Sequence, residues 1–134
     1  MALEVVVVAP PGPGEKAKAF RRSVAALEWD GYYRFLSRFW PASSSTGRLI
    51  DLYDSTHFEG ANLDQLRSAL VRARSTAQER PETWQEHLGE QVKPIQKELY
   101  ATVHRSRLVS LLDDLIGGVN EADARRGRLV FEGD

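Results

Sequence analysis

The feature that most restricts the fold is a run of four valines at residues 5–8, followed by the proline- and glycine-rich stretch 10–14. Stiff β-branched side chains favour a buried strand, and this stretch of prolines and glycines cannot continue one. We therefore predict an N-terminal strand that ends in a rigid turn. The apolar run contains Glu4, has no basic segment before it and is too short to span a bilayer, so we expect a cytoplasmic protein without a membrane anchor.

The length and the net charge of the chain restrict the number of domains and the kinds of partner that we expect. The chain has 134 residues, which suits one hydrophobic core, and we predict a single domain over 1–134. Its 18 basic and 19 acidic residues leave a net charge of -1, which indicates no general attraction to nucleic acid or to an anionic membrane. Because the sequence has no cysteine, disulfides, thiolate nucleophiles and zinc ribbons are excluded.

Apolar residues recur at helical spacing in four segments. A first helix is predicted over 15–27, and an aromatic block that runs to Trp40 is predicted as a second. Asn62 is predicted to cap a third, which ends before Pro81, and Ser106 to cap a fourth. The last two helices have leucine stripes, whose predicted core residues are Leu66, Leu70, Leu111, Leu112 and Leu115.

Strands are predicted near 3–8, 48–58, 98–105 and 128–132. Residues 82–105 fit two interpretations, because their apolar side chains match one face of a helix or one face of a strand. Gly89 and Pro94 favour an extended segment that ends in the strand near 98–105. The predicted fold class is α+β: a single domain with a small β-sheet and helices packed on one of its faces.

One polar cluster, Asp51, Asp54, His57 and Glu59, has the groups that a divalent ion or a general acid and base would need. On a strand, however, Asp51 and His57 share one face and Asp54 lies on the other. A polar strand end that leads into a helix is therefore favoured, and a small hydrolase or nuclease is the alternative. No two of His57, His87 and His104 have the spacing of a metal-binding pair, so we expect no metal, no cofactor and no catalytic residue.

The aromatic block, residues 29–40, has two interpretations. It contains six aromatic residues, which on a helix would form two neighbouring stripes that cover a broader arc than one core contact needs, and Arg34 and Arg38 lie among them. Tryptophan, tyrosine and arginine are the usual anchors of protein interfaces. The block is either a helix that is buried on most sides or an interface, and homodimerisation through it as a structural or regulatory subunit stays open.

A resemblance covers residues 48–134. Residues 49–58, Leu-Ile-Asp-Leu-Tyr-Asp-Ser-Thr-His-Phe, lead into a leucine-rich helix, and the chain closes on Leu-Val-Phe-Glu-Gly-Asp at 129–134. Together with residues 84–89 and 98–100, this pattern resembles a largely uncharacterised family of small bacterial proteins similar to the immunity proteins of polymorphic toxins. The resemblance implies a non-enzymatic protein that binds and neutralises a bacterial toxin, and it brings no catalytic residue.

The interpretation that combines these observations is a protein-binding module. Its expected partner is another protein, such as a cognate toxin, rather than nucleic acid or a membrane. If the toxin has a basic active-site cleft, the acidic residues of this chain would face it. The predicted contact residues are Tyr32, Arg34, Arg38, Asp51, Asp54 and Glu59.

Overall fold

The computed structural model describes residues 2–11, 19–28, 30–41, 55–91 and 96–133. Its strands and helices alternate in a mixed α+β arrangement, which confirms the predicted fold class. The elements in chain order are β1 (Ala2–Ala9), β2 (Phe20–Glu28), α1 (Gly31–Leu36), β3 (Thr56–Glu59), α2 (Ala61–Gln78), β4 (Thr83–Gln91), β5 (Lys97–His104), α3 (Arg105–Ala124) and β6 (Arg128–Glu132).

The valine-rich strand β1 lies inside a four-stranded antiparallel sheet of order β2-β1-β6-β3. Leu3, Val5 and Val7 alternate onto one face of this sheet and are completely buried. Helices α2 and α3 pack on that face, where Phe58 of β3 and Phe131 of β6 belong to the same core. The expected arrangement of helices on one face of a small sheet is thus confirmed.

The helix predicted over 15–27 is wrong for its described part, because residues 20–28 form strand β2. Residues 12–18 lie outside the described residues. Strand β2 pairs with β1 over its whole length and contains a β-bulge at Val24, where the register shifts. Before the bulge, Phe20 lies opposite Ala9 on the core-facing side; after it, Leu27 lies opposite Leu3. The extra residue reverses the strand's alternation, and the apolar spacing therefore imitates that of a helix.

The strand predicted near 98–105 exists as β5, but it does not join the main sheet. It pairs with β4 in a separate two-stranded antiparallel sheet, so both halves of the ambiguous segment 82–105 contain a strand. This hairpin packs against α1, and its residue Val103 is part of the common core. Of the strand predicted over 48–58, residues 56–58 lie in β3, whereas residues 48–54 fall outside the described part.

The predicted caps of the two long helices are wrong. Helix α2 begins at Ala61 rather than after Asn62, because β3 ends in a turn at Gly60, whose φ is 56°. The turn is closed by a hydrogen bond from the Leu63 N–H to the Gly60 carbonyl at 3.1 Å. Helix α3 likewise begins directly after strand β5, at Arg105 instead of after Ser106. Neither helix has a side-chain cap among the described residues.

The leucine stripes of α2 and α3 form the centre of the core. Leu66, Leu70, Leu112 and Leu115 are completely buried, as predicted. Leu111 is only partly buried and packs against the edge of the core. Within the described ranges, no helix has the length and apolar character needed to cross a membrane.

Candidate functional site

Helix α1 is short, and Asp30 fixes where it starts. The Asp30 carboxylate accepts a hydrogen bond from the Tyr33 N–H at 3.0 Å, which satisfies a free donor of the first turn. Burial raises the pKa of Asp30, and hydrogen bonds from the backbone of Tyr33 and Tyr32 act in the opposite direction. The next residue, Gly31, packs so closely on the hairpin that an added Cβ would lie 2.6 Å from a methyl group of Val103. These contacts hold α1 against β4 and β5.

Most of the aromatic block contributes to the core. Tyr33, Phe35 and Trp40 are buried, while Tyr32 and Phe39 are partly buried. The Phe35 ring meets Phe39 at a centroid distance of 5.4 Å and Trp84 of β4 at 5.8 Å. Trp29 lies outside the described residues. Among the described members of the block, Arg34 and Arg38 are therefore the exposed side chains.

Glu86 of β4 is the one buried charged residue in the described part of the chain, with 4% of its surface exposed. Arg38, in the turn after α1, donates to both of its carboxylate oxygens, at 3.3 Å to Oε1 and 2.5 Å to Oε2. The Trp84 indole N–H donates to Oε1 at 2.8 Å. Burial alone would raise the pKa of Glu86, but these hydrogen bonds and the charges of Arg38 and Arg80 outweigh it and lower the pKa.

A second arginine, Arg80, lies over the same aromatic rings. Its guanidinium carbon is 5.5 Å from the centre of the Trp84 ring and 5.9 Å from the centre of the Phe35 ring. Arg38 lies 6.0 Å from the centre of Phe35. Such stacking is the cation–π arrangement that arginine favours. We call Phe35, Arg38, Arg80, Trp84 and Glu86 the Glu86 patch.

Three of the predicted contact residues lie together on α1 and the turn after it. Tyr32 is partly buried, and its hydroxyl accepts a hydrogen bond from the His104 N–H at 3.1 Å. It also lines a depression of about 190 Å³ with Asp30 and Arg107. Arg34 is exposed, and Arg38 belongs to the Glu86 patch. The structure therefore places these three residues on one short helix and the turn after it, with Tyr32 directed towards β5 and Arg38 towards β4.

Glu59, the fourth described contact residue, lies in a different element. It is exposed at the end of β3, opposite Arg128 of β6, and its carboxylate is 3.6 Å from His57 Nε2. Depressions of about 310 and 370 Å³ share Glu59, Arg126 and Gly127 in their walls. Asp51 and Asp54 lie outside the described residues, so the geometry of the full acidic cluster stays a prediction.

The histidines occupy separate places. His57 is on β3, His87 on β4 and His104 at the end of β5. The His87 ring is hydrogen-bonded to Glu98 across the hairpin and contacts the ring of Tyr100. The described residues contain no group of three histidine, aspartate or glutamate side chains that would hold a metal ion.

Sequence reasoning missed Glu86, Trp84 and Arg80. Trp84 and Glu86 are two residues apart, so on a strand both side chains lie on one face. This spacing was the signal in the sequence that could have shown that they lie together. Nothing in the local sequence shows that Arg38, 48 residues earlier, binds this carboxylate. Comparison with known proteins finds no matching family model, no similar curated protein and no similar solved structure.

Proposed function

We propose that the protein is a non-enzymatic binding module that acts on another protein, most specifically an immunity-type protein that neutralises a bacterial toxin in the cytoplasm. The observation that supports this proposal is the Glu86 patch beside the exposed Arg34. Here arginine side chains are held on an aromatic base at the surface. Arginine and tryptophan are the residues that contribute most often to the binding energy of protein interfaces.

The preorganisation of Arg38 supports a role in recognition. Half of its side chain is exposed although its guanidinium group binds the buried Glu86 carboxylate. A long side chain normally loses rotamer entropy when a partner immobilises it. In this protein, contacts within the fold already restrict Arg38, so binding through its exposed half has a smaller entropic cost.

A buried ion pair is in itself weak support for a purely structural role. Removing a carboxylate from water costs several kcal/mol, and an apolar pair of similar size is often as stable. Glu86 is buried beside the indole of Trp84, in surroundings where an apolar side chain would also pack. The presence of an ion pair at this position is consistent with the positioning of Arg38 for a partner.

The proposal is tested by capturing partners from the source cells with the tagged protein and measuring the affinity of each purified candidate. Arg34→Ala and Arg38→Ala should weaken binding, whereas Arg72→Ala, at an exposed position of α2, should leave it unchanged. A toxin partner should stop cell growth, and co-expression of the wild-type protein should restore it.

Two results would contradict the proposal. One is unchanged affinity of every captured partner for the Arg34 and Arg38 variants. The other is substrate turnover that requires an acidic residue of the 51–59 cluster, which would support the alternative of a hydrolase or nuclease. A concentration-dependent dimer that the Arg34 and Arg38 variants abolish would instead support the homodimeric subunit.

A further inference from the structure

We infer that Arg38 and Arg80 together form a receptor for a carboxylate side chain, so that the partner presents an acidic protein segment to the Glu86 patch. This inference rests on the proposed function and specifies the chemistry of the partner. It also differs from the expectation that acidic residues of this chain face a basic cleft, because the two guanidinium groups of the Glu86 patch are positive.

Two guanidinium groups contact the same ring, and the charges of both lower the pKa of Glu86. Both lie about 6 Å from the centre of the Phe35 ring, at 6.0 Å for Arg38 and 5.9 Å for Arg80. The Arg80 backbone is also held, since its carbonyl accepts a hydrogen bond from Arg105 Nη1 at 2.8 Å. Two planar groups with N–H donors are thereby fixed on one aromatic base.

The charges within the patch do not cancel. The Glu86 carboxylate accepts hydrogen bonds from Arg38, and its two oxygens are turned inward towards Arg38 and Trp84. Among the described residues, the Arg80 guanidinium has no carboxylate within ion-pair distance, although Glu79 and Glu82 are exposed nearby in the chain. One positive charge therefore remains at the surface of the patch. Arginine binds carboxylates through paired hydrogen bonds, which adds geometric specificity.

A carboxylate fits this surface better than a polyanion does. Nucleic acid requires an extended basic surface, and this chain has a net charge of -1. Phe35 is completely buried, and Arg80 lies over the ring of Trp84, which leaves less ring surface for stacking a base. A single surplus charge on a rigid base suits a single acidic side chain surrounded by apolar groups.

The test is an NMR titration of the ¹⁵N-labelled protein with a short peptide that carries one glutamate between leucines, with the same peptide carrying glutamine as the neutral control. The indole N–H of Trp84 is the reporter, because it donates to Glu86 inside the patch. We expect a saturable shift of this resonance that weakens with added salt. Arg80→Gln should weaken binding about tenfold or more, as expected for the loss of a charged hydrogen bond, and Arg80→Lys should have a smaller effect.

Matched controls separate this inference from general electrostatics. Arg72→Gln removes the same charge from an exposed position of α2 and should leave the titration unchanged. The inference is wrong if the Trp84 resonance does not respond to the glutamate peptide or if Arg80→Gln and Arg72→Gln have the same effect on the titration. It is also wrong if inorganic phosphate shifts this resonance and the glutamate peptide does not. A captured partner could bind the wild type and the Arg80→Gln variant equally but bind the Arg34→Ala variant more weakly. That result would support the proposed function and contradict the carboxylate receptor.

Discussion

At the scale of single residues, two glycines in the C-terminal part have opposite surroundings. A Cβ added to Gly127 would lie 2.3 Å from the Val8 carbonyl oxygen and 2.7 Å from the Ala9 Cβ, because the chain passes close to β1 before it enters β6. A Cβ added to Gly117, inside α3, would meet nothing within 4 Å. Only the first glycine is required by packing.

We expect Gly127→Ala to destabilise the protein by about 1–3 kcal/mol, since backbone must move to accept the methyl group. Gly117→Ala should stabilise it by about 1 kcal/mol, because alanine has the higher helix propensity. Urea unfolding of both variants measures the difference. If the two substitutions changed the free energy of unfolding equally, Gly127 would not lie as close to β1 as described.

The Arg38–Glu86 pair is asymmetric, because the carboxylate is buried and the guanidinium is half exposed. Removing Arg38 leaves a buried charge without its main partner, whereas removing the charge of Glu86 leaves an arginine that water can solvate. We expect Arg38→Met to cost about 3 kcal/mol and Glu86→Gln about 1 kcal/mol. Urea unfolding at neutral pH checks this order, and a larger loss for Glu86→Gln would contradict it.

At the scale of elements, neighbouring residues of α3 differ in their packing. Leu112 is completely buried, while Leu111 lies at the edge of the core beside the depression that Tyr32 lines. Helical geometry explains the difference, since successive residues point about 100° apart around the axis. The two leucines therefore allow the same substitution to be compared at a buried and at a partly exposed position of one helix turn.

We expect Leu112→Ala to cost about 3–5 kcal/mol, because it leaves a cavity in the core. Leu111→Ala should cost about 1–2 kcal/mol, as the truncated site remains open to solvent. Chemical denaturation with a two-state fit measures both values. If the Leu111 variant were the less stable one, the orientation of α3 on the sheet would be wrong.

At the scale of the whole molecule, arginine–glutamate pairs connect distant parts of the chain. Arg21 binds Glu132 of β6, and Arg22 binds Glu121 of α3. Hydrogen bonds from these arginines lower the pKa values of Glu132 and Glu121. The two surface pairs are open to solvent and screened by salt, whereas the Glu86 carboxylate is buried.

These shifts determine how stability depends on pH. A carboxylate whose pKa is lower in the folded state stabilises the fold above its ordinary pKa of 4.5 and loses that contribution as the pH falls through the folded value. We expect the free energy of unfolding to decrease below about pH 4.5. High salt should weaken the contributions of the Arg21–Glu132 and Arg22–Glu121 pairs to this free energy. Most of the contribution of Glu86 should remain.

Unfolding with urea at a series of pH values measures this dependence. Glu86→Gln should flatten the acid part of the profile in high salt, and Glu132→Gln should change it little under the same conditions. An identical profile for wild type and Glu86→Gln would show that Glu86 is not ionised through its pair with Arg38.

The sequence by itself determined those features that depend on local pattern. The leucine stripes predicted α2 and α3 because one helix face repeats every three to four residues. The valine run predicted β1, and the last strand was also placed correctly. At the candidate site, Arg34 and Arg38 were predicted as contact residues because arginines among aromatic residues are typical of interfaces, and that role stays a prediction.

Tertiary structure decided what depends on residues far apart in the chain. The bulge at Val24 arises in the pairing of β2 with β1, so local spacing imitated a helix there. The choice of β4 rather than the main sheet as the partner of β5 is likewise a long-range pairing. Glu86 is buried as a charge only because Arg38, 48 residues away, meets it in the fold. Local periodicity cannot encode such contacts, because each depends on how favourably two segments that are far apart in the chain interact.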